Sequence, residues 1–568
     1  MFCAFFARSF PAFRSLVTLS LFWSTAVFPN AVLAANASQP GTVDRFAADK
    51  RAIQVLSRLT FGARPGDLEH VKKIGVDAFV QEQLSPDDID DSKLSKLLDK
   101  LPTLNLSTPT IAEQYNPPKP TPSPSPVADA VSAEMKPSPT PAAKPTPIPK
   151  NPGMVVTELQ RAKLLRAVYS NRQLYEVMVD FWENHFSIYA NKDANRWLLT
   201  SFDRDSVRPF AMTRFRDLLG ATAKSPAMLY YLDNWQSSVL REYPATKDKP
   251  ARTSGGINEN YARELMELHT LGVDGGYTQK DVQEVARCFT GWTIRKPNEE
   301  GIFVYNPAMH DNGEKLVLGV KIPAGGGIAD GERVLDILAK SPATAHFIAT
   351  KMARRFLGDD PSPAIVARAA KVFLSTDGSI TETLKSIVTS PAFFSSVAFR
   401  TKIKSPFEFV ASALRITNAD TDAGRPILDW IAKMGQPVYG RITPDGYPDF
   451  TSEWLSNNDL ITRFNFASAL AMNNIKGTAV KPAALLSKPG DNKSIPDTVA
   501  DLILLGQASV ETKKVLETYT VTSSSPNSST IPTTDAGWAP TAKPADTTKA
   551  LTTQLIALAL GAPEFQRK

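Results

Sequence analysis

The sequence predicts a mainly α protein: a multi-helical globular body with a small β-hairpin and a long, disordered proline-rich insertion. Three observations carry this. Apolar residues recur at helical spacing over most of the chain. A Ser-Pro start signal recurs ahead of those stretches. The prolines crowd into one segment, with 13 of the 44 between Pro117 and Pro152. The 568 residues are 42% hydrophobic and 21% charged, an ordinary globular balance. Lysine and arginine total 64 against 58 acids, a formal net charge of +6. That excess is small and dispersed, whereas a nucleic-acid binder shows a basic stripe, so no nucleic-acid partner is expected. The two cysteines, Cys3 and Cys288, exclude a disulfide framework and a Cys-rich zinc site.

Residues 1–34 read as a secretory signal peptide. Arg8 and Arg14 supply the positive region, Leu16 to Phe28 the apolar run, and Val32-Leu33-Ala34 the small residues before a cleavage site. An uncleaved anchor is the alternative, but the run is shorter than the ~20 residues that a spanning helix needs. No later stretch is long enough either. The expectation is an exported protein, periplasmic or extracellular, with no membrane span after cleavage. Cys288 is then a lone thiol, tolerable if it is buried in a helix.

Residues 44–106 form the N-terminal helical part of the main body. Ile53, Leu56 and Leu59 lead to a Gly-Ala-Arg-Pro-Gly break at Gly62; Leu68 with Val71, and Phe79 with Val80 and Leu84, mark two further helices. Residues 107–153 are the proline-rich insertion, with too little apolar surface to offset its ordering entropy. Residues 154–478 are the main α-helical domain. Ser225-Pro226, Ser341-Pro342, Ser390-Pro391 and Ser405-Pro406 each predict a capped helix start, and Thr278 to Asp281 predicts a related cap. Phe303-Val304-Tyr305 and Leu316-Val317-Leu318 predict a small hairpin or two short strands. Gly325-Gly326-Gly327 lacks the spacing of a dinucleotide fingerprint and reads as a plain loop. Residues 479–568 hold C-terminal helices near Val499–Leu505 and Thr548–Leu560, with a Ser/Thr/Pro-rich loop from Thr522 to Asp546 between them.

The familiar catalytic strings are missing: G-x-S-x-G, H-E-x-x-H, the P-loop and the EF-hand loop. Histidine is more informative. On a helix from Gln173 to Tyr189, His185 falls in the stripe of Leu174, Val177, Met178, Phe181 and Ile188, while Asp180, Glu183 and Ser187 point outward. On a helix from Asn258 to Leu271, Glu264 lies on the apolar face of Tyr261, Leu265, Leu268 and Leu271, with Glu259, Arg263 and Glu267 outside. A carboxylate facing inward must be paired, protonated or bound to a cation. His269 ends that helix, and His310-Asp311 precedes the second short strand. His185, Glu264, His269, His310 and Asp311 are the residue types of a mixed nitrogen/oxygen site for a divalent metal, with Glu264 and His185 as its catalytic pair. The alternative is a buried histidine bonded to a backbone carbonyl, with Glu264 paired to Arg204 or Arg208. Tyr230, Tyr231 and Trp235 could floor a sugar cleft, though at helical spacing they read as core.

These residues carry a resemblance. Phe181-Trp182-Glu183-Asn184-His185-Phe186, the run from Asn258 to His269, Gly276-Tyr277-Thr278, Thr290-Gly291-Trp292 and His310-Asp311 resemble the bacterial "domain of unknown function 1800" family. The likeness continues through Lys404-Ser405-Pro406-Phe407-Glu408 and Met434-Gly435-Gln436-Pro437 to Pro563-Glu564-Phe565-Gln566. Glu183 stands where that family often has a non-acidic residue. The resemblance implies an exported, mostly helical protein, and as partner a secreted sulfatase-like protein. Together these readings predict an exported protein with a buried His/Glu pocket, a metal-dependent hydrolase. The alternative is a non-catalytic envelope protein for binding or assembly.

Overall fold

Local capping chemistry sets where many of the helices begin. In the computed structural model, Thr278 accepts from the Asp281 amide and Asp281 accepts from the Thr278 amide, a reciprocal box opening the helix Gln279–Phe289. Ser405 and Glu408 form the same box ahead of Pro406–Ile416, and Ser341 caps Pro342–Phe356 through the Ala343 amide. The structure describes residues 45–115, 151–247, 250–486, 493–523 and 544–568. The predicted signal peptide, residues 116–150 of the proline-rich insertion and residues 524–543 of the Ser/Thr/Pro-rich loop lie outside the described residues. The described residues are 59% helical, and the sheets among them are small and two-stranded.

The described residues from Ala48 to Lys568 belong to one compact unit. Its core is built from helices joined by short turns. The helix Gln173–His185 packs against Val76–Leu84 and Pro152–Tyr169, and Pro406–Ile416, buried along its whole length, lies against Pro152–Tyr169. Most of that helix is apolar, and its buried charges are paired, Glu408 with Arg355 and Arg415 with Asp67. Pro342–Phe356 packs on Pro363–Ser375, and Asn457–Ala471 on Pro544–Gly561.

Several boundaries differ from the sequence reading. Thr108–Tyr115, placed at the edge of the insertion, is a helix, because Ile111, Ala112 and Tyr115 are fully buried. The Ser390-Pro391 start leads only into turns. There the carbonyls of Phe393 and Ala398 turn to accept from the buried side chains of Gln54 and Arg58, at 3.0 and 2.7 Å. The predicted strands do not pair with each other. Strand β3 (Trp292–Arg295) pairs with β4 (Ile302–Tyr305), and β5 (Lys315–Val317) with β6 (Val320–Ile322). Leu318 and Gly319 close the second hairpin at φ +47° and +78°, the left-handed pair that a two-residue turn requires. Two pairs escaped the sequence reading: β1 (Ser238–Tyr243) with β2 (Arg252–Gly256), and β7 (Asp420–Thr421) with β8 (Thr478–Ala479).

Candidate functional site

The five residues predicted to share a metal site do not meet. His185 and His269 do come together. They are 2% and 1% exposed, with ring centroids 6.1 Å apart. The helix predicted to run from Asn258 to Leu271 spans only Asn260–Glu267. Beyond it the amides of His269 and Leu271 donate to carbonyls five residues back, Glu264 and Met266. That wider turn swings His269 inward. His185 Nε2 lies 3.0 Å from the His269 carbonyl oxygen, which requires its proton on that nitrogen. The rings of Phe181, Trp182, Phe186 and Phe347 enclose His185. His185 Nδ1 and His269 Nε2 have no hydrogen-bond partner among the described residues. Burial, reinforced by the Lys351 charge, holds both imidazoles below their ordinary value, His269 at about 3. Both are neutral at pH 7.

His310 belongs to a different cluster. Its Nδ1 faces the Thr290 carbonyl at 2.8 Å and its Nε2 faces Asp330 Oδ2 at 3.1 Å. Lys315 Nζ donates to the same carboxylate oxygen at 2.6 Å, and all three residues are buried. The glycine loop serves this cluster. A Cβ on Gly326 would stand 1.9 Å from Asp330 Oδ1, so close approach explains that glycine. Asp311 is held by Arg287 at 2.8 and 3.2 Å. Glu264 is half-buried, and burial with the neighbouring Glu267 pushes its pKa up. It pairs with neither Arg204, which binds Asp205, nor Arg208, which binds Glu176 and Asp203. Among the described residues no group of three or more His, Cys, Asp or Glu could hold a metal ion. The five-residue metal site is therefore corrected: residue type and inward facing were legible, but His310 and Asp311 are already engaged elsewhere. Tyr230 and Trp235 stack at 5.5 Å and pack against the core.

The site that does form is a cleft open to solvent at its mouth. Its walls come from Gln173–His185, from the Ser405–Glu408 cap, from Gln436 to Tyr439, from Lys351 and Arg355, and from Lys568. Glu183, expected to point outward, is the correction that matters most. Its side chain is 2% exposed, because the helix Pro152–Tyr169 covers that face of Gln173–His185. Lys163 donates to Glu183 Oε2 at 2.7 Å, and the Tyr439 hydroxyl donates to Oε1 at 2.8 Å. Lys163 also reaches Asp180 at 2.8 Å. Behind Glu183 lies Asp203, on the π-helical turn Phe202–Val207. Burial, together with the Asp203 carboxylate, pushes Glu183 up to about 7 even though Lys163 opposes the shift. Burial acts on Asp203 too, but Arg208 and Arg166 outweigh it and hold that carboxyl at about 2.

The other motif residues fasten the walls. Asn184 accepts from the Tyr447 amide at 2.7 Å and donates to the Tyr447 carbonyl at 2.9 Å. Gln436 accepts from the Phe407 amide at 2.8 Å. Glu408 receives Arg355 at 2.5 Å, the Lys568 ammonium, and the Ser405 amide at 3.0 Å. Burial opposes its charge, but Arg355 and Lys568 hold Glu408 well below the carboxylate range. Sequence reasoning missed Lys163, Asp203 and Tyr439. Lys163 is one of three basic residues between Leu159 and Ala167, with Arg161 and Arg166, and nothing in the sequence singles it out.

Fold and cleft together define a class: a multi-helical protein whose distant segments close around one charged cleft. Among the described residues no helix is long and apolar enough to cross a membrane. The family model described as Protein of unknown function (DUF1800) matches residues 54–567. The chain belongs to that family. No curated protein and no solved structure matches it.

Proposed function

We propose that the chain is an exported hydrolase that works by acid–base chemistry in the cleft around Glu183. One observation carries the reading: a carboxyl raised to about 7 stands in the wall of a cleft. A proton-transfer group works best when its pKa lies near the operating pH. Ionised, Glu183 takes a proton from an attacking water or hydroxyl; protonated, it returns one to the leaving group. Lys163 and Tyr439 each grip one of its oxygens and fix its direction. Lys351, in the same walls, supplies positive charge for an oxyanion that develops during reaction. Export rests on the residues of the signal segment, and the mature chain is expected to begin at Ala35, which intact mass will show.

The experiment is a turnover screen of the mature protein against p-nitrophenyl esters, phosphates, sulfates and glycosides. Glu183→Gln is expected to lower kcat by about 10²–10⁴-fold and to remove the ionisation near pH 7 from the rate profile. Full activity in a folded Glu183→Gln variant would refute the assignment.

A second reading, a non-catalytic envelope protein for binding or assembly, draws on a different observation. On the helix Asn457–Ala471, Leu460, Ile461 and Phe464 are 42%, 62% and 44% exposed, an apolar patch at helical spacing. The partner it would hold is the secreted sulfatase-like protein that the resemblance implies. Mild extraction from the native host tests this; a chain that runs alone as a monomer counts against it.

A further inference from the structure

Beside the cleft, and sharing Glu408 and Lys568 with its wall, lies a smaller cavity. It is bounded by Thr60 to Ala63, by Arg400 and Lys404, and by the closing segment at Glu564 to Lys568. Its charges do not balance. Lys404 is 9% exposed, and among the described residues its ammonium meets only the Phe565 ring, 3.7 Å from Nζ. Arg400 donates from Nη2 to the Leu504 carbonyl at 3.1 Å, but its buried Nε has no partner among the described residues. The acids nearby are already engaged. Glu408 is shared by Arg355 and Lys568. Glu564 accepts from the Ser509 amide at 2.7 Å and from the Thr512 hydroxyl at 2.9 Å. A largely buried lysine whose ammonium has no protein acceptor is costly, and the unpartnered Arg400 Nε of the same cavity lining adds to that cost.

We propose that this cavity binds a small oxyanion, of the size and charge of phosphate or sulfate, held by Lys404 Nζ and Arg400 Nε with Arg567 at its rim. An anion with several oxygens supplies both missing acceptors at once, which a monatomic ion does less well. It also accounts for Lys404. Burial and the Arg400 charge push that lysine well below its ordinary value, and a bound anion would restore its charged form. The proposal does not rest on the role given to Glu183.

The test is calorimetric titration of the full mature chain with inorganic phosphate and with sulfate at fixed ionic strength, with chloride as the blank. Saturable binding of one anion per chain is expected. Lys404→Met should weaken it at least tenfold, and Arg400→Gln should do the same. If Lys404→Met does not fold, Arg567→Gln at the exposed rim should weaken binding several-fold in a folded protein. Lys351→Gln, in the cleft wall, should leave it unchanged. Glycerol phosphate separates the sources: binding as tight as inorganic phosphate marks a group carried on a larger ligand, and much weaker binding marks the free ion. No saturable binding by the native chain would overturn the proposal. So would binding that survives both Lys404→Met and Arg400→Gln, or binding lost in Lys351→Gln, which would place the anion in the cleft.

Discussion

Glutamine at position 408 would remove the acid that two buried cations share. The side chains of Glu408, Arg355 and Lys568 are 10%, 11% and 5% exposed, so water replaces little of the lost charge. The capping bond to the Ser405 amide survives, because the amide oxygen of glutamine can still accept it. The loss is therefore that of a broken buried ion pair, about 3–5 kcal/mol. Removing an orphaned cation as well, in Glu408→Gln with Arg355→Met, should recover part of it. The pH dependence has a definite sign. The folded-state pKa of Glu408 is depressed, so its contribution is complete above the ordinary carboxyl value and declines as pH falls below it. The deficit of Glu408→Gln should hold steady from pH 8 to pH 5. Below about pH 4.3 it should shrink by ~1.4 kcal/mol per unit. Urea unfolding followed by tryptophan fluorescence and circular dichroism measures it, provided that the two probes coincide. A deficit under ~1 kcal/mol at pH 7, or one that does not shrink in acid, would refute the argument.

Three further outcomes are expected. His269 is held neutral at about 3, so the unfolded chain takes up a proton that the folded chain refuses as pH falls below ~6.5. That destabilises the native protein by about 2 kcal/mol at pH 5, and His269→Gln should make the stability profile less steep between pH 6.5 and 5, the remaining slope belonging to His185. Thr278→Ala breaks the reciprocal cap of Gln279–Phe289 and should lower stability by about 1 kcal/mol; an unchanged urea midpoint would show the cap to be idle. Cys288 is fully buried and its thiol is pushed up to about 12 by burial, so thiol reagents at pH 8 should leave the native protein unlabelled and label it once unfolded.

Whatever depends on neighbours a few residues apart was legible in the sequence. Thr278 with Asp281, and Ser405 with Glu408, announce helix starts because each box closes within one turn. His185 was placed inside because its stripe repeats at the helical period, and it is 2% exposed. The site was less legible. Periodicity finds one buried stripe on a helix, and Gln173–His185 has two, because Pro152–Tyr169 covers its other side. Periodicity therefore points Glu183 outward, whereas its partners Lys163, Asp203 and Tyr439 reach it from separate parts of the chain. Strand partners are set in the same way. Phe303 to Tyr305 joined Trp292 to Arg295 because a partner is chosen by what lies alongside in space. The sequence by itself determined the fold class, the capped helix starts and the burial of single residues, all set by short-range geometry. Tertiary structure alone decided which buried polar groups meet. Burial forces each charge to find an acceptor, and the acceptor can come from anywhere along the chain.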